Sequence, residues 1–172
     1  MLIISIENIN ILLYNKIENI VFWGELMLIF STKGRITADN DKTNLLHRFD
    51  VPENIKSLTI SYSYSPKIFE NREKAAAMIR SCFEKYDEKL NGRPADYLPV
   101  NNLITLSVDE NGKYRGAAHR QANEQRHIIS EDFASPGFFK GEIQSGEWDI
   151  MLNAHCVCCD VDYTITVEGE EK

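Results

Sequence analysis

The sequence lacks most of the features that announce an activity. Its 19 basic and 26 acidic residues leave a net charge of -7 with no Lys/Arg cluster to neutralise phosphates, which argues against nucleic acid as a partner. There is no nucleophile elbow, phosphate loop or dinucleotide-binding fingerprint, and none of the four histidines forms a His-x-His pair. Asp160 and Asp162 have no third calcium ligand at motif spacing. The Ile- and Leu-rich opening is interrupted by Glu7, Asn8 and Asn10, so it is too broken to span a bilayer, and it lacks the cationic start of a secretory signal. Cysteine is scarce as well. Cys82 stands alone while Cys156, Cys158 and Cys159 crowd into one tetrapeptide, unlike a disulfide framework, so free thiols in the reducing cytoplasm are expected.

What is present is the composition of an ordinary globular protein, with 43% hydrophobic and 26% charged residues, and 172 residues suffice to bury one core. Residues 1–26 settle into neither a helical nor a strand period and are expected to be a leader outside that core. Trp23, Gly24 and Glu25 force a purine-rich codon run, TGG-GGN-GAR, one codon short of Met27, which resembles a bacterial ribosome-binding site. Two readings follow: Met27 is the native start, or Ile20 to Phe30 adds an edge strand. Residues 27–169 are expected to form the domain, with 170–172 as a tail.

From Met27 onward short segments alternate in polarity, as half-buried antiparallel strands do. Leu58, Ile60, Tyr62 and Tyr64 alternate with Thr59, Ser61 and Ser63. The same pattern sets Ile104, Leu106 and Val108 against Thr105 and Ser107; Trp148, Ile150 and Leu152 against Asp149 and Met151; and Tyr163, Ile165 and Val167 against Thr164 and Thr166. Less regular candidates are Leu28 to Thr37, Leu45 to Val51, Tyr114 to His119, Gln125 to Ser130 and Phe138 to Ile143. Pro52, Asn111-Gly112, Ser135-Pro136-Gly137 and Ser145-Gly146 supply the turns. The expectation is a mainly β fold, an antiparallel, jelly-roll-like β-sandwich of about eight or nine strands.

One segment breaks the alternation. Across Phe69 to Lys89, Ala76, Ile79, Cys82, Phe83 and Tyr86 fall at helical spacing, which predicts one inserted amphipathic helix, over about 69–89, ending near Asn91-Gly92. Its apolar stripe is expected to cover an open face or end of the sandwich. Asn91 to Asn102 reads as a return loop.

Several motifs run in a distinctive order: His47-Arg48-Phe49-Asp50-Val51-Pro52, Leu58 to Tyr64, then Tyr114-Arg115-Gly116-Ala117-Ala118-His119-Arg120. They continue with Ile129-Ser130, Ala134-Ser135-Pro136-Gly137-Phe138, Gly141-Glu142-Ile143 and Gly146-Glu147-Trp148. Together they resemble the amino-terminal domain of the CehA/McbA family of PHP-type metallohydrolases, over roughly Met27 to Gly169. In that family a metal-binding PHP domain rich in His and Asp follows the last strand, whereas this sequence ends at Lys172. The resemblance therefore implies an accessory β-sandwich and carries over no catalytic residues.

Two residue groups are candidate sites. His155, Cys156, Cys158 and Cys159 suit a soft divalent metal such as zinc, although structural zinc sites draw on a second, distant ligand pair. The alternative is a hairpin with incidental thiols; a strand would send Cys156 and Cys158 to one face and Cys159 to the other. His119, Arg120 and His127, with Glu124 or Glu131 across a ladder, would form a small ligand-binding pocket, or else ordinary cross-strand charge pairs. Tyr62, Tyr64, Phe138, Phe139 and Trp148 invite a carbohydrate-binding reading. Alternation with Leu and Ile places Tyr62, Tyr64 and Trp148 in the core instead, and only one of Phe138 and Phe139 is expected on the surface.

Three functions compete: a non-catalytic module that partners a PHP-type metallohydrolase domain or subunit, a small-ligand or carbohydrate-binding sandwich, and a small metalloenzyme built on His155 and its cysteines.

Overall fold

The computed structural model describes residues 26–89 and 91–172, so the expected leader lies, except for Leu26, outside the described residues, whereas Met27 to Phe30 belong to an edge strand. Alternation of apolar and polar residues produces strands wherever one face can be buried. Sheet A contains β1 (Leu26–Ile36), β10 (Val161–Glu171), β3 (Ile55–Ser65) and β8 (Glu124–Ser130), in that order. Sheet B contains β2 (Asn44–Val51), β9 (Gly146–Cys156), β6 (Leu103–Glu110) and β7 (Lys113–Ala118). All neighbours are antiparallel. Taken in chain order, the eight strands read 1-8-3-6 in one sheet and 2-7-4-5 in the other. That is jelly-roll topology: every connection crosses between sheets except the β6–β7 hairpin. In that hairpin Asn111 (φ 48°) and Gly112 (φ 74°) both take the left-handed region, as a type I′ turn requires.

A two-residue ladder of β4 (Ile68–Phe69) with β5 (Val100–Asn101) brings the strands to ten among the described residues; β5 lies within the segment expected to be a plain return loop, and β4 takes Phe69 from the expected start of the helix. Phe138 to Ile143, expected as a strand, makes only an isolated bridge from Phe138 to Gly116. Gly137, at φ 101°, turns the chain just before Phe138. At the C-terminal end, β10 continues through Glu171 and the Lys172 N–H donates to the Asn54 carbonyl, so residues 170–172 belong to the sandwich.

The two inner faces supply the core. Trp148, Leu58, Ile60, Ile104, Leu106, Ile150, Leu152 and Ile165 are completely buried, and opposite neighbours interlock: Leu106 pairs with Leu152, Val108 with Ile150, Ile165 with Tyr62. Gly34 faces Tyr163 across β1 and β10, and the Tyr163 ring fills the space a side chain would need.

The helix α1 (Arg72–Lys85) begins where Asn71 Oδ1 accepts the Lys74 N–H at 2.9 Å, an N-cap. It ends several residues before Asn91-Gly92. Asp87 takes φ 53°, its N–H bonds to the Glu84 carbonyl and that of Glu88 to Phe83, which is a Schellman cap with Asp in the position usually held by Gly. The helix, expected over an open face or end of the sandwich, does not have a sheet strand as its main contact. Its principal packing partner is the 3-10 turn Pro94–Tyr97, where Phe83 meets Tyr97 edge-on at 5.2 Å. Ala75 and Ile79 are buried, but Met78 and Tyr86 remain 41% and 65% exposed.

The segment between β8 and β9 has little regular structure and is held by side chains. Glu110 and Arg115, both nearly buried, pair at 3.0 Å; the other Glu110 oxygen accepts the Gln144 N–H at 2.8 Å, and Arg115 donates to the Gly141 carbonyl. The Trp148 indole N–H donates to the Gln144 carbonyl at 2.9 Å, and the Arg115 guanidinium lies 5.9 Å from that ring. Gly116 is required here, since a Cβ would come within 2.5 Å of the Gly137 carbonyl oxygen and Phe138 Cα.

Two outcomes follow. Trp148→Ala should lower stability by about 3–5 kcal/mol in equilibrium urea unfolding, the usual cost of truncating a buried aromatic. Arg115→Ala should cost about 3–5 kcal/mol because it strands the Glu110 carboxylate; a change under about 0.5 kcal/mol would show that the clamp contributes nothing.

Candidate functional site

The cysteine-rich turn joins β9 to β10, and neighbouring polar groups set its shape. Asp41 Oδ1 accepts the Val157 N–H at 2.8 Å, and Asn102 Oδ1 accepts the Cys158 N–H at 2.7 Å. Asn102 is completely buried; its Nδ2 donates to the Pro66 carbonyl at 2.9 Å and contacts Cys159 Sγ at 3.4 Å. Its own carbonyl accepts from Tyr64 Oη at 3.0 Å and Lys67 Nζ at 2.9 Å. One asparagine thus ties the turn to the end of β3 and to the base of the helical insertion.

This framework brings Cys156 and Cys158 together, Sγ to Sγ at 3.4 Å, and directs Cys159 to Asn102 instead. All three thiols are partly exposed. The shared S–H···S hydrogen bond holds the Cys156 thiol down at about 7 and pushes Cys158 up; burial opposes the first shift and reinforces the second. His155 points away, onto the outer face of sheet B, with Nε2 2.9 Å from Thr105 Oγ1 and its ring 6.4 Å from that of His119. The four residues expected to share a metal therefore face two directions. Among the described residues no three His, Cys, Asp or Glu side chains form a group that could hold a metal ion.

The expected pocket of His119, Arg120, His127 and Glu131 is divided. His119 is exposed beside His155, and Arg120 reaches the Pro136 carbonyl at 3.5 Å. His127 faces inward and is only 2% exposed, opposite Ile60 in the ladder and 4.9 Å from the Phe138 ring. Its Nε2 lies 2.9 Å from Gln125 Oε1, while Nδ1 is buried without a partner. Glu131 lies beyond the far end of β8, where it lines a 320 Å³ cleft with Asp132, Lys56 and Lys172. Lys172 there pairs with Glu142 at 2.7 Å. The topology explains the division: His119 and Arg120 follow β7 in sheet B, Glu131 follows β8, and β8 lies in sheet A and carries His127 inward midway between its ends.

Of the aromatics, Tyr62, Tyr64, Trp148 and Phe138 are buried, while Phe139 is exposed and meets the exposed Tyr114 at 6.1 Å. Sequence reasoning missed Asn102 and Glu110. A lone loop asparagine carries no periodic signal, and Glu110 stands at the strand end where a charge is ordinarily solvated.

No protein-family model and no curated protein matches the chain. Among the described residues no helix is long and apolar enough to cross a membrane. The class that the geometry defines is a jelly-roll β-sandwich with a helical insertion and a thiol-rich turn.

Burial, helped by the nearby Arg120 charge, lowers the His127 pKa to about 4. Below about pH 6.5 the unfolded chain binds a proton that folded His127 refuses until about pH 4, so stability is lost as pH falls through that window, by about 3 kcal/mol across it. His47, half-buried beside Tyr163, shifts in the same direction. Urea midpoints measured at neutral pH and near pH 4 should therefore diverge less in His127→Gln than in the parent; an identical pH dependence in both counts against the assignment.

Proposed function

We propose that this chain is a non-catalytic accessory β-sandwich that acts by contacting a PHP-type metallohydrolase domain or subunit, the partner implied by the resemblance to the CehA/McbA amino-terminal domain. The observation that carries the reading is the uncovered stripe of α1. Tyr86, a member of the apolar stripe, is exposed at the helix C-cap, Met78 is exposed on α1, and Ile68 is exposed on β4 ahead of it. Exposed apolar side chains concentrated on one element commonly mark a contact surface. A scaffold role also fits the histidines: His127 is inside the core, His47 half-buried at the β1–β2 edge, and His119 and His155 outside. Hydrolysis at neutral pH requires a metal-held hydroxide, or a nucleophile with a base, at one point. Four free cysteines suit a reducing compartment such as the cytoplasm.

A small-ligand or carbohydrate-binding role is the second reading, supported by the exposed Tyr114–Phe139 pair, since flat aromatics on a sandwich surface stack on sugar rings.

Calorimetric titration of the chain into a PHP-type metallohydrolase domain from the same genome is expected to give a complex. Met78→Asp with Tyr86→Asp should weaken it at least tenfold, about 1.4 kcal/mol. The chain alone should not hydrolyse phosphate mono- or diesters with added manganese, zinc or iron. A metal-dependent rate lost in both His119→Ala and His127→Ala would overturn the accessory reading, and glycan binding lost in Tyr114→Ala would favour the second.

A further inference from the structure

Disulfide formation by thiol exchange requires an attacking thiolate, a second thiol within reach and an open approach for the incoming disulfide. These requirements meet at the β9–β10 turn. Cys156 Sγ and Cys158 Sγ are already 3.4 Å apart, and a bond requires closure to about 2.04 Å. Only Val157 separates the two residues, and the backbone between them is pinned by Asp41 and Asn102, so little further ordering is needed to bring the sulfurs together. Both thiols are partly exposed. Lys42 and Lys67 place positive charge near Cys156, with Asp41 opposing them, and the hydrogen bond from Cys158 stabilises the Cys156 thiolate. Cys82, exposed on α1, has no second cysteine in its helix.

We propose that Cys156 and Cys158 form a redox-active dithiol that low-molecular-weight disulfides oxidise reversibly to an intrachain disulfide. The Cys156 thiolate attacks one sulfur of R–S–S–R, forming the Cys156–S–S–R bond and releasing one RS⁻. Cys158 gives its proton to solvent and its sulfur attacks Cys156 Sγ, expelling the second RS⁻. The protein dithiol loses two electrons and two protons, and the small disulfide is reduced to two thiols. Cys159 is a spectator, turned toward the Asn102 amide. A partly exposed disulfide is the readily reduced kind, so excess small thiol reverses the reaction. Because Asn102 holds both this turn and the Pro66 carbonyl, the site lies at the base of the helical insertion, where closure of the sulfurs acts on its anchor.

The test uses the full chain, freed of reductant and equilibrated with glutathione disulfide and glutathione at varied ratio, then read by thiol count, intact mass and fragmentation of the peptide that contains the turn. Loss of two of the four thiols is expected, with a mass decrease of two hydrogens, a Cys156–Cys158 linkage and a monomeric product that excess glutathione restores. Cys159→Ser should behave as the parent does. Cys158→Ser should stop at a single glutathione adduct on Cys156, with an unchanged circular dichroism spectrum as the check on folding. A linkage through Cys159, disulfide-linked dimers, or adducts distributed equally over Cys82 and Cys156 without an internal bond would each overturn the proposal.

Discussion

The Glu110–Arg115 pair is the contact on which much of the fold depends. Both side chains are nearly buried, and taking two charges out of water costs several kcal/mol each unless their hydrogen-bonding capacity is met. It is largely met by a segment that otherwise has few means of support: the Gln144 N–H and the Gly141 carbonyl close the network, and the Trp148 indole bonds back to Gln144. The pair therefore secures the crossing from β8 to β9 and seals one end of the core. Jelly-roll topology makes this consequential, since almost every connection changes sheets and each crossing must be held without ladder hydrogen bonds of its own.

Asn102 applies the same logic at the opposite end. A fully buried amide has to use its donors and acceptor, and this one spends them on Pro66, the Cys158 N–H and Cys159 Sγ. The thiols consequently lie in a turn fixed from outside it. Rigidity of this kind distinguishes an approach of two sulfurs built into the fold from a chance encounter in a mobile loop. The helical insertion rests on the same asparagine, so the feature most suited to contact with a partner and the feature most suited to redox chemistry share one support.

The imidazoles show how a sandwich separates residues that sequence places near one another. His119 follows directly after β7 and His127 lies on β8, the next strand in the chain, yet β7 and β8 belong to different sheets. His127 turns into the core and loses basicity through desolvation, while His119 stays outside near His155, a residue distant in sequence. A pocket inferred from chain proximity thus dissolves, and an unanticipated neighbour pair takes its place.

Local chemistry by itself determined the eight strands of the sandwich, the hairpin and the existence of the helix, but it missed the short β4–β5 ladder and advertised a strand at Phe138 to Ile143 that does not form. The alternation at Leu58 to Tyr64, Trp148 to Leu152 and Tyr163 to Val167 reports a period of two that holds wherever one face is buried, and Asn111-Gly112 specifies its turn through the backbone conformations those residues accept. Where the helix ends, what it packs against and which sulfurs meet were decided by tertiary structure. Asp87 occupies a position for which the sequence advertises Gly92, because a neighbouring hydrogen-bond pattern stabilises its left-handed conformation. The stripe on α1 looks destined for a sheet, yet the 3-10 turn claims Phe83 first. Asn102, Glu110 and Arg115 take their roles only from partners far along the chain. Periodicity records which face is apolar, whereas the partner of a buried polar group depends on which strands become neighbours, and the jelly roll sets that through long-range pairing.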